Sequence, residues 1–506
     1  MSDTLSRLKA RHKHSVSNRR AVEGLLDDCY RFALPGRARF GHHGDHRAED
    51  IYDETAVVGL EDFASIMHAR LTPDGAQWVQ PIAARTIADQ DRQAVNADLE
   101  EVNDVVFEYI HASNFGAEIH EAFLDLGCST GLMTTRWQDG RIINTAVPLT
   151  QVHLDAGAED EVGALFRERH KVRLDSLLDT YPAAALTREM DMLIAREPDA
   201  LVGVVDGIWR DPSAGGVRRG VLVKAGGGQR RESLIVDTLE KGYGALPFVA
   251  PRMSKAAGEI WGRGPVMRAM AGIKTTNLVI ELLLQNAALS MVGIYGIEDD
   301  GQVNLDTIRI EPGTVVPHAP GSKGLHRLDM RGGDVNMAQL ILEDQRRNIK
   351  RALYGDALAD PNRTPATALE VSYRTRDLAE RISASFNRLR HELLAPYWRR
   401  VAWLLERAGI VELPVPIADI MLVPSGPLAR VMMQSHVQNV LELHQIFTAI
   451  LGPQIALSRW NLPELEEHLR VHMGVPMKLI ATEDERQQTL AQAQSAMQAM
   501  GEGGMP

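Results

Sequence analysis

From Gly264-Pro265 to about Ser290 the chain reads as a single helix that is apolar on nearly every face. A helix with no polar face cannot turn one side to water, so it must pack on several sides at once. Its most apolar stretch, Leu278 to Ile297, carries Glu281, Gln285 and Asn286 in the middle, which marks a buried helix and not a membrane span. A compact β segment follows, Ile294 to Leu328, with Val303, Leu305, Ile308 and Ile310, cut by Pro312-Gly313, Pro317 and Pro320-Gly321. Asp334, as N-cap, opens a second helix that runs to Tyr354. Two long helices thus flank a small Pro/Gly-rich β insertion.

A loop, Gly355 to Arg363, leads to Thr364-Pro365, a helix start with proline at the first position. Thr367 and Glu370 match a capping box. Downstream, Ile382, Phe386, Leu389, Leu393, Tyr397, Val401, Leu404 and Ala408 recur at four- and three-residue steps, the stripe of a long amphipathic helix. Arg374, Arg376 and Arg381 precede them, Arg388, Arg390, Arg399 and Arg400 lie between them, and Pro396 is expected to kink or break the run. Gly409 ends it, and Pro414-Val415-Pro416 blocks further helix.

The flanks read more simply. Met1 to Ala33 is helical with a basic first half, and Thr55 to Leu71 is a helix closed by the turn Thr72-Pro73-Asp74-Gly75. A further helix spans about Thr86 to Ser113. Gly131 to Leu154 and Ala200 to Leu239 are β-rich, and in the second Gly226-Gly227-Gly228 separates two strands as a hairpin tip. Pro427 to Met500 is mostly helical and ends in a Gly-rich tail expected to be disordered. No fixed-period repeat is present.

At 506 residues the chain needs two or more packed regions. Its formal charge of −12 argues against a tight nucleic-acid binder, which draws its affinity from a basic excess. Acidity suits solubility, or a surface past which DNA slides without sticking. The two cysteines, Cys29 and Cys128, have no paired spacing, which argues against a disulfide framework and fits a reducing cytoplasm. No apolar signal-peptide core opens the chain, so neither secretion nor membrane insertion is implied.

Catalytic motifs are weak. Gly127-Cys128-Ser129-Thr130-Gly131 matches G-x-S-x-G, but a nucleophile elbow needs a strand before it and a helix after it. Here the upstream segment looks helical and the downstream one strand-like, so a plain helix-to-strand turn is the better reading. Gly272-Ile273-Lys274-Thr275 lacks the glycine spacing of a phosphate cradle and sits inside a helix. His42, His43 and His46 cluster in a loop with no element to fix them as metal ligands. The seven tryptophans are scattered rather than interleaved with basic residues, so packing is their default role. No catalytic residue, metal site or cofactor is expected.

Several segments together resemble the podovirus-type portal, or head-to-tail connecting, family of phages. Tyr52-Asp53-Glu54-Thr55-Ala56 is similar to its "Y-D-x-T-A" helix start, and Leu71-Thr72-Pro73 with Trp78 to its "L-T-P…W" turn. Pro247-Phe248, Arg252 and Gly258-Glu259-Ile260-Trp261-Gly262-Arg263-Gly264-Pro265 resemble "P-F…R…G-E-x-Y-G-R-S-P", with Trp261 for Tyr and Gly264 for Ser. Ala366-Thr367-Ala368-Leu369-Glu370-Val371 resembles "T-A-T-E-V" with Leu369 added; Arg388-Leu389 and Glu392-Leu393-Leu394-Ala395-Pro396 match "R-L…E-L-L-x-P". The matches keep their order over roughly residues 50 to 415.

The resemblance implies a mixed α/β, predominantly α-helical portal fold with wing, stem, clip and crown regions, closed into a ring that in the family is usually of twelve subunits. It implies a wing over residues 1–261, stem helices over 262–290 and 334–354, a clip over 291–333, and a tunnel loop over 355–364. A long wing helix over 365–424 and a crown with its tail over 425–506 complete the division. Arg346, Arg347, Lys350, Arg351 and Arg363 are then candidates for DNA contact, and Asp356, Leu358, Asp360 and Asn362 for the tunnel loop. Ile308, Ile310, Val315, Val316 and His318 are candidates for clip docking. Implied partners are further copies of the chain, double-stranded DNA without sequence preference, the terminase large subunit, a tail adaptor, and the major capsid and scaffolding proteins. The expected place is the virion, with the host cytoplasm during assembly. An adaptor or scaffold role, or a Ser129 hydrolase, are the competing readings.

Overall fold

The computed structural model describes residues 2–37, 51–157, 161–181, 184–225, 231–241, 246–292, 294–296, 326–328, 335–355 and 368–473. The chain opens with α1 (Ser2–Ala33), α2 (Thr55–Leu71), β1 (Val79–Ala83), α3 (Asp89–His111) and α4 (Phe115–Cys128). Strands β2 (Met133–Gln138), β3 (Arg141–Ala146), β4 (Val152–Ala156) and β5 (Val162–Arg173) follow, then short helices α5 (Ser176–Thr180) and α6 (Arg188–Arg196). Next come β6 (Leu201–Asp211), β7 (Gly216–Ala225), β8 (Arg231–Lys241) and β9 (Phe248–Val249). The middle holds α7 (Pro265–Val292), β10 (Ile294–Gly296), β11 (His326–Leu328) and α8 (Val335–Ala352). The remainder is α9 (Ala368–Leu389), α10 (Ala395–Arg407), β12 (Ile420–Pro424), α11 (Pro427–Leu451), α12 (Pro453–Ser458) and α13 (Leu462–Met473).

The main core gathers around α2 and α4. Trp78, Phe107, Phe115 and Tyr397 are all buried there, with Phe115 and Tyr397 stacked at 4.6 Å and Trp78 edge-on to Phe107 at 5.1 Å. The Trp398 indole donates to Asn103 Oδ1 at 2.8 Å, so its polar atom is satisfied in the core. Cys29 on α1 and Cys128 on α4, distant in sequence, are both buried and free, and each lies close enough to influence the other. Burial first, then Cys29, pushes the Cys128 thiol well up.

Strands β4 to β8 form a five-stranded antiparallel sheet in sequence order. Val221 pairs with Val236 across the β7–β8 hairpin, in the place the glycine run suggested, although its tip lies outside the described residues. Leu8 of α1 packs on one face with Phe166, Trp209, Leu222 and Leu234. Gly220 makes that approach possible: a Cβ there would stand 2.7 Å from Leu8 Cδ1. The basic half of α1 is tied to the same sheet by Arg7–Asp211 at 3.2 Å and Arg11–Asp155 at 3.0 Å. Arg19 adds bonds to the carbonyls of Thr150 and Val152.

Two features go beyond the sequence reading. The helical run continues through Pro396, with an irregular turn directly before it. A π turn, Arg390–Leu394, joins α9 to α10, and Ala395 N–H donates to Arg390 O, five residues back. The wider turn accommodates a residue that lacks an N–H and crowds the carbonyl four residues before it. The second is the pairing of β1 with β12, Val79 opposite Pro424, which ties the start of the chain to the end of the long helical run. Among the described residues no helix is long and apolar enough to cross a membrane.

A candidate channel hairpin and its anchors

Helix α7 leaves the core at a tightly fitted root. Gly264 N–H donates to Cys128 O at 3.1 Å, Gly262 N–H to Thr130 Oγ1 at 2.8 Å, and Ser129 Oγ to Gly262 O at 2.7 Å. A Cβ on Gly264 would meet Gly127 O at 2.1 Å, and one on Gly262 would meet Ser129 O at 2.4 Å, so both positions require glycine. The G-x-S-x-G segment lies between helix α4 and strand β2, the order opposite to a nucleophile elbow. Ser129 is fully buried and its hydroxyl is spent on a main-chain carbonyl.

Arg252 fastens this root to the long helix. Its Nη2 lies 2.6 Å from Glu392 Oε1, its Nε 3.1 Å and its backbone N 2.9 Å from Glu392 Oε2, and its Nη1 donates to Ile260 O at 2.9 Å. Three separate motifs of the sequence thus converge on one joint: Gly127–Gly131, Arg252 to Pro265, and Glu392.

The segment before α2 grips both helices of the hairpin. Asn277 of α7 accepts from the backbone of Tyr52 at 2.7 Å and Asp53 at 3.3 Å. Asp53 accepts Arg346 Nε of α8 at 2.7 Å on one oxygen and the Thr55 N–H at 2.9 Å on the other. Gly59 lets α8 approach α2, since a Cβ would stand 2.8 Å from Leu353 Cδ1. Arg381 of α9 closes the end of α8, donating to Arg351 O at 2.7 Å and lying over the Tyr354 ring at 5.2 Å. A cation suits that position, where the helix dipole presents its negative end.

Beyond these anchors α7 and α8 pack on each other, and β10 pairs antiparallel with β11, Ile294 opposite Leu328. The β insertion therefore closes at its base as expected. Its remainder, with Ile308, Ile310, Val315, Val316 and His318, lies outside the described residues. The same holds for Asp356, Leu358, Asp360, Asn362 and Arg363, and for His42, His43 and His46. On α8, Leu342, Ile349 and Leu353 face inward, while Arg347, Lys350 and Arg351 share an exposed basic face. Arg346 differs from them because Asp53 already holds it. Lys274, from the phosphate-loop-like segment, sits within α7 and pairs with Asp28 at 2.6 Å.

The far half of α7 leaves Leu278, Leu282 and Leu284 more than half exposed, and α8 leaves Leu340 at 68%. Leu278 and Leu282, one turn apart, share a face, and Leu284 lies on another side of the helix.

One cluster that sequence reasoning missed joins α1 to the sheet. His12 Nε2 and His153 Nε2 lie 3.4 and 3.6 Å from Glu168 Oε2, and Lys224 Nζ lies 2.8 Å from Oε1. The two imidazoles, foremost among the causes, hold the Glu168 carboxyl well below its ordinary range; burial pulls His153 down. The three groups could in principle ligate a metal. Lys224 on the same carboxylate makes the spot an ion-paired tether instead.

The profile of the family described as "Bacteriophage head to tail connecting protein" matches residues 5–480. The chain belongs to that family. A curated relative, the "Probable portal protein" of Bordetella phage BPP-1, is 23% identical over 417 residues, covering 77% of this chain and 71% of that protein. Among solved structures, a chain from "Virion of native gene transfer agent (GTA) particle" is 13% identical at a TM-score of 0.33, covering 79% of this chain and 87% of its own. Another, from "Neck of empty GTA particle computed with C6 symmetry", is 13% identical at 0.33, with 84% and 90% covered. The resemblance to the head-to-tail connecting family read from the dispersed motifs is therefore correct, and three of those motifs, at Tyr52-Asp53, Arg252 to Pro265 and Glu392, supply residues that anchor the hairpin.

Proposed function

We propose that this head-to-tail connecting protein is the portal of a short-tailed phage, closing as a ring of twelve subunits at one capsid vertex. In this reading residues 1–261 are the wing, 262–290 and 334–354 the stem helices, 291–333 the clip, 355–364 the tunnel loop, 365–424 the long wing helix and 425–506 the crown and tail. The observation that carries it is the hairpin: two helices bolted to the core at one end, with apolar surface left open along α7 and a basic face along α8. A ring forms when one heterologous contact repeats with a rotation that closes, and the exposed leucines of α7 supply such a contact.

The channel passes double-stranded DNA during packaging and ejection. In a ring, Arg347, Lys350 and Arg351 each become a circle of charge. Every phosphate held tightly would add salt-dependent affinity and slow release, so contact is weak and sequence-independent, in keeping with the net charge of −12. The clip, with Ile308, Ile310, Val315, Val316 and His318, docks the terminase large subunit and later the tail adaptor. The wing meets major capsid and scaffolding proteins, first in the host cytoplasm and then in the virion. Arg363 and the loop residues Asp356, Leu358, Asp360 and Asn362 reach toward DNA.

The test is a packaging assay on particles whose portal has residues 356–362 replaced by a short Gly/Ser link. Rings should still assemble while packaging or DNA retention falls. Normal packaging and retention would remove the loop's role.

A further inference from the structure

Between the five-stranded sheet and strand β2 lies a cavity of about 300 Å³ whose lining is dominated by arginine. Arg136 comes from β2, Arg167 and Arg169 from β5, Arg219 from β7 and Arg400 from α10. Arg167 and Arg169 are two residues apart on a strand, so the pleat puts both on the same face. The five guanidinium groups share the lining with two carboxylates, Asp206 and Glu240, which leaves an excess of three positive charges.

The two carboxylates are already committed. Asp206 takes Arg219 through both oxygens, at 3.0 and 2.6 Å, and Glu240 takes Arg400 at 2.6 and 3.3 Å. Tyr181 donates its hydroxyl to Asp206 at 2.9 Å and accepts Arg169 Nη2 at 2.9 Å. Among the described residues the Arg167 side chain bonds one neutral partner, Gln151, at 2.9 Å. Arg136 has no hydrogen bond or ion pair among the described residues, and its Nε, like that of Arg169, is buried without an acceptor. Burial, then the charge of Arg219, lowers the Arg136 guanidinium from its ordinary value; burial, then Arg169, does the same to Arg167. Three cations held together in a partly dehydrated cavity are costly unless an anion joins them.

We propose that this cavity binds a small phosphate-type oxyanion, gripped by Arg136, Arg167 and Arg169. The planar guanidinium fork matches a tetrahedral oxyanion through paired, charge-assisted hydrogen bonds. Thr145 also stands at the lining, with a hydroxyl that can donate. The bound anion would join β2 of the three-stranded sheet to β5 of the five-stranded one. It makes the wing-side packing dependent on a phosphate-bearing solute, a property separate from the DNA-channel reading and independent of it.

Equilibrium dialysis of the purified, assembled protein against radiolabelled inorganic phosphate, at constant ionic strength set with chloride, tests it. Saturable binding near one phosphate per chain is expected, at least tenfold weaker in Arg136→Gln and intermediate in Arg136→Lys. Arg173→Gln, on an exposed arginine outside the cavity, is expected to bind as the parent does. Should Arg136→Gln fail to fold, Arg167→Gln serves the same comparison. Absence of saturable binding overturns the proposal, including the case in which a neighbouring subunit's carboxylate fills the cavity. Binding that all variants retain overturns it as well.

Discussion

Arg252 and Glu392 meet in a bidentate ion pair at 2.6 and 3.1 Å, and through it the turn that launches α7 is fixed to the π turn of the long helix. The Arg252 side chain is only 3% exposed and Glu392 20%. Removing Glu392 takes the carboxylate from the buried Arg252 guanidinium, a change that typically costs ~3–5 kcal/mol, while removing Arg252 leaves Glu392 with Arg388 at 3.8 Å. Glu392→Gln should therefore lower unfolding stability by about that amount, and the double variant with Arg252→Ala by less than the sum of the two singles. Denaturant unfolding of the three variants checks it.

Ser129 is a packing residue. Ser129→Ala should cost about 1 kcal/mol, the worth of one buried hydrogen bond, and leave Gly262 O unpaired. An esterase assay should read the same background in both proteins. Hydrolysis present in the parent and lost in the variant would restore the nucleophile reading.

Asp53 ties α8 to the start of α2 through Arg346, whose side chain is 45% exposed. Solvent screening limits such a pair, so Asp53→Asn should cost only about 1 kcal/mol globally. Its local effect is larger. Hydrogen exchange should rise along α8 and at Tyr52 and Asp53 while α4 stays protected.

The α1 tether should weaken in acid. The Glu168 carboxyl is depressed in the folded chain, so its stabilisation is complete above the unfolded pKa of about 4.3 and is lost as pH falls below it. His153 is also depressed, so protonating it opposes folding from about pH 6.5 downward. Both act in the same direction. Glu168→Gln should flatten the fall in stability below about pH 4.3, as followed by thermal unfolding across pH.

Much of the hairpin was legible because its signals are local. Helical periodicity, Gly264-Pro265 at the start and the proline-rich interval mark α7, the insertion and α8 without tertiary information. The G-x-S-x-G turn was legible from element order alone. What escaped depends on contacts between distant segments. Nothing in local pattern pairs Val79 with Pro424, or brings Cys29 to Cys128. Pro396 signalled an irregularity in the run, but not that it would take the form of a π turn directly before it. The arginine cavity draws on β2, β5, β7 and α10, and each arginine alone looks like an ordinary solvated charge. Only Arg167-x-Arg169, two cations on one face of a strand, was a signal within reach of sequence reasoning.

The central claim is that the hairpin is one spoke of a closed ring, with the exposed leucines of α7 and Leu340 of α8 covered by neighbouring copies. Negative-stain images of the purified protein, with particle mass measured alongside, test this most directly. The account predicts closed rings with an open centre and a mass near twelve chains. Single chains at the same concentration would contradict it.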